Sequence, residues 1–250
     1  HTLSSDPERI RSYRSIIMMD PPEHERMRSL VSRVFTPRAV QALEPMVREG
    51  ISSFADAIGD ARSFDAVEHF TGPFPVEVIC RILGVPATDR QQIRHWIDLQ
   101  LHREPGRVGP TPEGEQAGIE GGAYYFALAQ EKREHPSDDM LSRLVEAGLD
   151  DLEIAAFAST LGGAGSETVT KLVANAFVLF ARHPDQWRQI VDDPLRIPTA
   201  IEEVLRYWPP SQYQGRVTTR PVECHGRTIP LGARVLLLTG SATRDEREFP

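Results

Sequence analysis

The run Leu161-Gly162-Gly163-Ala164-Gly165-Ser166-Glu167-Thr168 gathers the residue types best able to do chemistry in this sequence. It fails two familiar tests. A dinucleotide fingerprint needs a preceding strand and a third glycine where Thr168 stands, and a nucleophile elbow around Ser166 needs glycines where Ala164 and Thr168 stand. What remains is an acid beside a hydroxyl, Glu167 and Thr168, next to glycines that each cost about 1 kcal/mol relative to alanine inside a helix. A flat ligand pressed against the backbone would offset that cost. So would a tight helix crossing or a helix break, and spacing alone favours these two over the ligand.

Two further pairs have the spacing to share a helix face. His24 and Arg28 follow Met19-Asp20-Pro21-Pro22, and Glu203 and Arg206 lie in Ile201-Glu202-Glu203-Val204-Leu205-Arg206-Tyr207. Taken alone, the first reads as a solvated helix start and the second as a surface ion pair worth under about 1 kcal/mol. The two cysteines, Cys80 and Cys224, are too few for a disulfide framework, are spaced unlike a zinc site, and read as inert buried thiols. His24-Glu25-Arg26-Met27-Arg28 lacks the second histidine of a metalloprotease helix, so no protein-only metal site is visible.

The glycine run needs a long helix to hold it. Leu152 to Ala181 supplies one, opened by Asp150 three residues before Glu153, a capping box, and apolar along Phe157, Leu161, Ala164, Thr168, Leu172 and Leu179. Helical periodicity runs from residue 23 to 208, punctuated at Pro37, Gly59, Gly84-Val85-Pro86, His135-Pro136, His183-Pro184 and Trp208-Pro209-Pro210. Residues 103–122, rich in glycine and proline, read as a mobile connection between two helices. From Arg216 the character changes: Val217 to Cys224, Thr228-Ile229 and Arg234 to Leu238 read as short strands, a small β region over 216–240. The fold class is therefore mainly α, a helical bundle around a long central helix.

With 250 residues, 40% of them apolar, the chain can bury a substantial core and reads as a single domain. Its aliphatic runs are far shorter than the roughly 20 residues that cross a bilayer, so it reads as soluble and cytoplasmic. A formal charge of -8 argues against nucleic acid or an anionic membrane as partner.

Taken together and in order, the motifs resemble those of the bacterial soluble branch of the cytochrome P450 family, over essentially the whole chain. Asp20-Pro21-Pro22-Glu23-His24 through Phe35-Thr36-Pro37-Arg38 is similar to the start of the family's C-helix. Ala164-Gly165-Ser166-Glu167-Thr168 is similar to its oxygen-activating motif, Glu203-Val204-Leu205-Arg206 to its Glu-x-x-Arg helix, and Gly215-Arg216 through Ser241-Ala242-Thr243-Arg244-Asp245 to its sheet region.

The resemblance implies a heme-thiolate monooxygenase that contains heme b, iron protoporphyrin IX. It would take electrons from NAD(P)H through a ferredoxin or flavodoxin-type donor. It would hydroxylate or epoxidise an apolar small molecule, in secondary metabolism or in xenobiotic or terpenoid oxidation. Thr168 would deliver protons during oxygen activation, with Glu167 beside it in the relay. Ala164 and Gly165 would let the helix approach the heme, while Thr160, Gly163, Gln212 and Gln214 would look toward substrate. His24, Arg28 and Arg216 would hold the heme propionates. Arg26 would point elsewhere and, with Arg33, offer a basic face to an acidic ferredoxin. Glu203 and Arg206 would form a buried structural pair. The family's axial cysteine matches neither Cys80 nor Cys224, so it is expected beyond Pro250, and residues 1–14 lack the expected N-terminal elements: the chain reads as truncated at both ends. Two other functions compete. One is a peroxide-using or ring-coupling enzyme of the same fold, disfavoured by the acid–threonine pair; the other is a non-catalytic helical ligand binder.

Overall fold

The computed structural model describes residues 15–106 and 109–249; the expectations for residues 1–14 and beyond Pro250 lie outside them. The described residues fall into two compact units, divided between Glu167 and Thr168.

The first unit is helical. After a 3₁₀ turn at Ile16–Met18 come α1 (Glu23–Ser32), α2 (Pro37–Gln41), α3 (Glu44–Ile58), a π-helical turn (Val67–Thr71), α4 (Pro73–Leu83), α5 (Arg90–Leu101), α6 (Pro112–Glu134), α7 (Met140–Glu146) and the start of α8 (Asp151–Arg182). Its core follows from helical spacing: Val76, Ile79, Cys80 and Leu83 of α4 form one stripe, buried with Leu128 of α6, Leu141 and Leu144 of α7, and Ile154, Phe157 and Ala158 of α8. α4 stops at Gly84, whose φ of 81° belongs to the left-handed region that glycine tolerates best.

The connection expected at 103–122 is shorter, because α6 already begins at Pro112, capped by the Thr111 hydroxyl, which accepts from the Gly114 N–H at 3.1 Å. Two of its glycines face α5: a Cβ on Gly114 would stand 2.6 Å from the Leu99 carbonyl, and one on Gly121 3.7 Å from the Trp96 ring.

The second unit continues with α9 (Pro184–Asp192), a 3₁₀ turn (Pro194–Arg196), α10 (Ile197–Tyr207), strands β1 (Gln214–Val217), β2 (Val222–Cys224), β3 (Arg227–Ile229) and β4 (Arg234–Leu237), and α11 (Thr239–Ala242). β1 pairs antiparallel with β4, Arg216 opposite Val235, and β2 with β3, Cys224 opposite Arg227. His225 and Gly226, both at positive φ (49° and 71°), make the two-residue turn of that hairpin. Val217 to Cys224 is not one strand. The Thr218 N–H and hydroxyl turn onto the loop before β4, at Ala233 and Pro230, and Pro221 has no N–H to give a ladder.

Candidate functional site

The start of α8 is fixed by reciprocal bonds. The Glu153 N–H donates to Asp150 Oδ1 at 2.8 Å, and the Asp150 N–H to Glu153 Oε2 at 3.1 Å, answering two donors that a helix start leaves open. Glu153 also takes the Arg26 guanidinium of α1. The Arg26 side chain nonetheless stays 55% exposed, so part of it faces solvent.

Along α8 the glycines divide by role. At Gly162 an added Cβ would stand 3.1 Å from the Tyr125 hydroxyl, and at Gly165 3.3 Å from the Ile79 side chain. Both are therefore kept by close helix crossings, with α6 and α4. The sequence reading turns Gly165 toward a cofactor; the structure turns its bare side to Ile79. Gly163 differs: among the described residues nothing lies within 4 Å of its missing Cβ. Ser166 is buried, its hydroxyl donating to the Gly162 carbonyl at 2.6 Å. Ala164 and Thr168, one helical turn apart and so on one face, are exposed, and Glu167 is half-buried.

The other sequence-derived residues separate in the same way. Thr160 donates to the Ala156 carbonyl at 2.8 Å and meets the Ser15 hydroxyl at 2.9 Å, so its oxygen is committed within the protein. The Gln212 amide folds back onto the Pro209 carbonyl, and Gln214 is exposed at the start of β1, opposite Leu237. His24, half-buried, and Arg28, exposed, share a face of α1; Arg216 is exposed on β1. The Arg206 guanidinium grips Glu203 through two bonds of 2.7 and 2.6 Å and donates to the Thr243 carbonyl at 2.8 Å, and it holds the Glu203 carboxyl below its usual range. The pair forms, but it is not buried in this chain, because the Glu203 side chain is 58% exposed. Sequence reasoning missed Tyr125 and Ser159, buried hydroxyls on α6 and α8 whose proximity no spacing rule signals.

A heme would need carboxylate partners, a helix face free of bulk, and an iron ligand. The first two fit: His24 and Arg28 are hydrogen-bond donors on one helix face, and Gly163 and Ala164 carry little or no side chain on α8 beside Thr168. The third is not met here. Among the described residues no cluster of His, Cys, Asp and Glu suits a metal ion. Burial pushes the Cys80 thiol up to about 12, away from the thiolate that binds iron, whereas Cys224, expected to be buried, is exposed on a hairpin strand.

The chain is similar to known proteins throughout. The cytochrome P450 family model matches residues 197–250. A putative cytochrome P450 123 of Mycobacterium tuberculosis is 43% identical over 240 residues, 94% of this chain and 60% of that protein. A methyl-branched lipid omega-hydroxylase of the same species is 35% identical over 255 residues, 97% of this chain and 59% of that protein. The ligand-free structure of cytochrome P450 TbtJ1 superposes with a TM-score of 0.88 at 38% identity, covering 99% of this chain and 67% of that one. The chain thus spans about six tenths of the length of the curated relatives it matches. On these similarities the chain belongs to the cytochrome P450 family.

Proposed function

We propose that the protein is a heme-thiolate monooxygenase that takes electrons from NAD(P)H through a ferredoxin or flavodoxin-type donor and oxidises an apolar small molecule by hydroxylation or epoxidation. The observation that carries this reading is the exposed face of α8, where Thr168 and Ala164 lie one turn apart, with Glu167 adjacent to Thr168 and no side chain over Gly163. Heme, when bound, supplies the redox centre at which dioxygen is reduced. The residues of this chain do the rest. His24 and Arg28 would hold its carboxylates by hydrogen bonds, and the same role for Arg216, which lies in the second unit, rests on the resemblance alone. Thr168 Oγ1 would give up a proton and recover it through ordered water held by the Glu167 carboxylate. The bare surface at Gly163 leaves room for substrate.

The test is the ratio of product formed to reduced nicotinamide consumed by the reconstituted holoenzyme. A positioned general acid contributes roughly 10²–10⁴ in rate, so Thr168→Ala should lower this ratio about tenfold or more, the electrons going to peroxide, while heme content and ligand affinity hold. Thr168→Ser should keep part of the coupling. Wild-type coupling in Thr168→Ala would overturn the proton-delivery role.

A further inference from the structure

Between α5, α6 and α8 of the first unit lies a recess of about 40 Å³ walled by Ile93, Trp96, Ile97 and Leu101. Into this apolar setting project two hydroxyls without partners among the described residues, Tyr125 Oη and Ser159 Oγ, both shielded from solvent. Tyr125 is only 3% exposed. Buried polar atoms are nearly always satisfied, and each exception calls for a reason. On the same helix Thr160 and Ser166 bond back to the carbonyls of Ala156 and Gly162, the usual habit of helical hydroxyls. Ser159 does not, so its oxygen stays available to the recess. Gly162 has the same meaning from the other side, since a side chain there would press on the Tyr125 hydroxyl at 3.1 Å.

The chemistry of the missing partner follows. Among the described residues no charged side chain lines the recess, and its other polar groups are the neutral Gln100 amide and the Trp96 indole N–H, already given to Glu120, so a carboxylate or ammonium would be desolvated without compensation. Burial pushes the Tyr125 phenol far above its ordinary value, which keeps it a neutral O–H donor. Both hydroxyls can donate and accept. The volume suits one small oxygen-bearing group, not a ring system.

We propose that this recess binds the neutral oxygen, a hydroxyl or a carbonyl, of an otherwise apolar ligand whose body lies over the open surface at Gly163. The proposal rests on the reading of the protein as an enzyme of apolar small molecules, and it narrows that class to ligands with an uncharged oxygen remote from the reacting carbon. Tyr125 and Ser159 are then specificity-determining residues.

The test is calorimetric binding to the holoenzyme of three probes of one shape: 4-tert-butylcyclohexanol, tert-butylcyclohexane and 4-tert-butylcyclohexanecarboxylate. Wild type should prefer the alcohol to both others. One neutral hydrogen bond is worth roughly a threefold to tenfold change in affinity, so Tyr125→Phe should weaken the alcohol by about that factor and leave the hydrocarbon unchanged, with Ser159→Ala acting in the same direction. Melting curves of both variants should match wild type, because neither substitution removes a hydrogen bond present in the protein. Equal binding of alcohol and hydrocarbon, equal effects of Tyr125→Phe on both, or no alcohol binding up to its solubility would each overturn the proposal and leave the two hydroxyls to structural water. Failure of the monooxygenase reading looks different: the alcohol binds with Tyr125-dependent affinity, yet no probe is oxidised.

Discussion

Lys132 and Asp139 meet at 2.7 Å with side chains only 13% and 8% exposed, the most buried ion pair among those described. Burial raises the Asp139 carboxyl, but donors from Lys132, Ser137 and the Ser142 backbone outweigh it and leave it below the usual carboxylate range. The same carboxylate caps α7 by accepting the Ser142 N–H at 2.8 Å. Removing one partner of a buried pair strands the other charge, so Lys132→Met should cost roughly 3 kcal/mol in urea unfolding at neutral pH. Because the Asp139 value is lowered on folding, its stabilisation is present above the ordinary aspartate value and is lost as pH falls through the lowered one. The gap between wild type and Lys132→Met should therefore narrow in acid; a gap that is absent at neutral pH, or constant with pH, would contradict this assignment. Arg206→Met at the exposed Glu203 pair should cost clearly less than Lys132→Met, although the resemblance implies a buried pair at Glu203 and Arg206.

At the scale of elements, α6 sets two glycines against each other. An added Cβ at Gly114 would meet the Leu99 carbonyl at 2.6 Å and Pro110 at 3.3 Å, whereas at Gly122 it would meet nothing within 4 Å. Gly114→Ala should accordingly destabilise by about 1–3 kcal/mol through forced separation of α5 and α6. Gly122→Ala should stabilise by about 0.5–1 kcal/mol through helix propensity alone. Thermal melts of the two variants shifting in the same direction would refute the packing account. The contrast also marks where the sequence was readable. Helix ends at Gly59, Gly84 and His183 were legible because proline and glycine act within a few residues, and the Asp150–Glu153 box was legible because capping is local. The start of α6 was misjudged because its glycines serve α5, a partner that composition does not announce. The packing of Gly165 on α4 was hidden for the same reason, its neighbour Ile79 lying far away in sequence. Thr168, Glu167, His24 and Arg28 were singled out through motif order, while Tyr125 and Ser159 came together only through the folding of α6 onto α8.

At the scale of the whole molecule, apolar burial is unevenly shared. The first unit holds a continuous core from Met27 to Ala158, with Cys80, Leu83, Ala129, Leu141, Leu144, Ile154 and Ala158 fully shielded from solvent. In the second unit, among the described residues, only Leu179, Val204 and Pro209 are buried apolar side chains, and Trp187, Leu195 and Ile201 stand 50%, 89% and 46% exposed. α9 and α10 are amphipathic helices whose apolar stripes have little to pack on, and helices of this length draw most of their stability from such packing. Local opening should then cost far less in the second unit than in the first. Hydrogen exchange on the 250-residue polypeptide should show amides of α4, α6 and α7 protected close to the global limit. Amides of α9, α10 and the two hairpins should exchange orders of magnitude faster, and a dye that reports exposed apolar surface should bind. The sign of the difference decides the matter: if residues 184–237 exchange as slowly as α4, their apolar faces are covered in solution and the second unit has a core of its own.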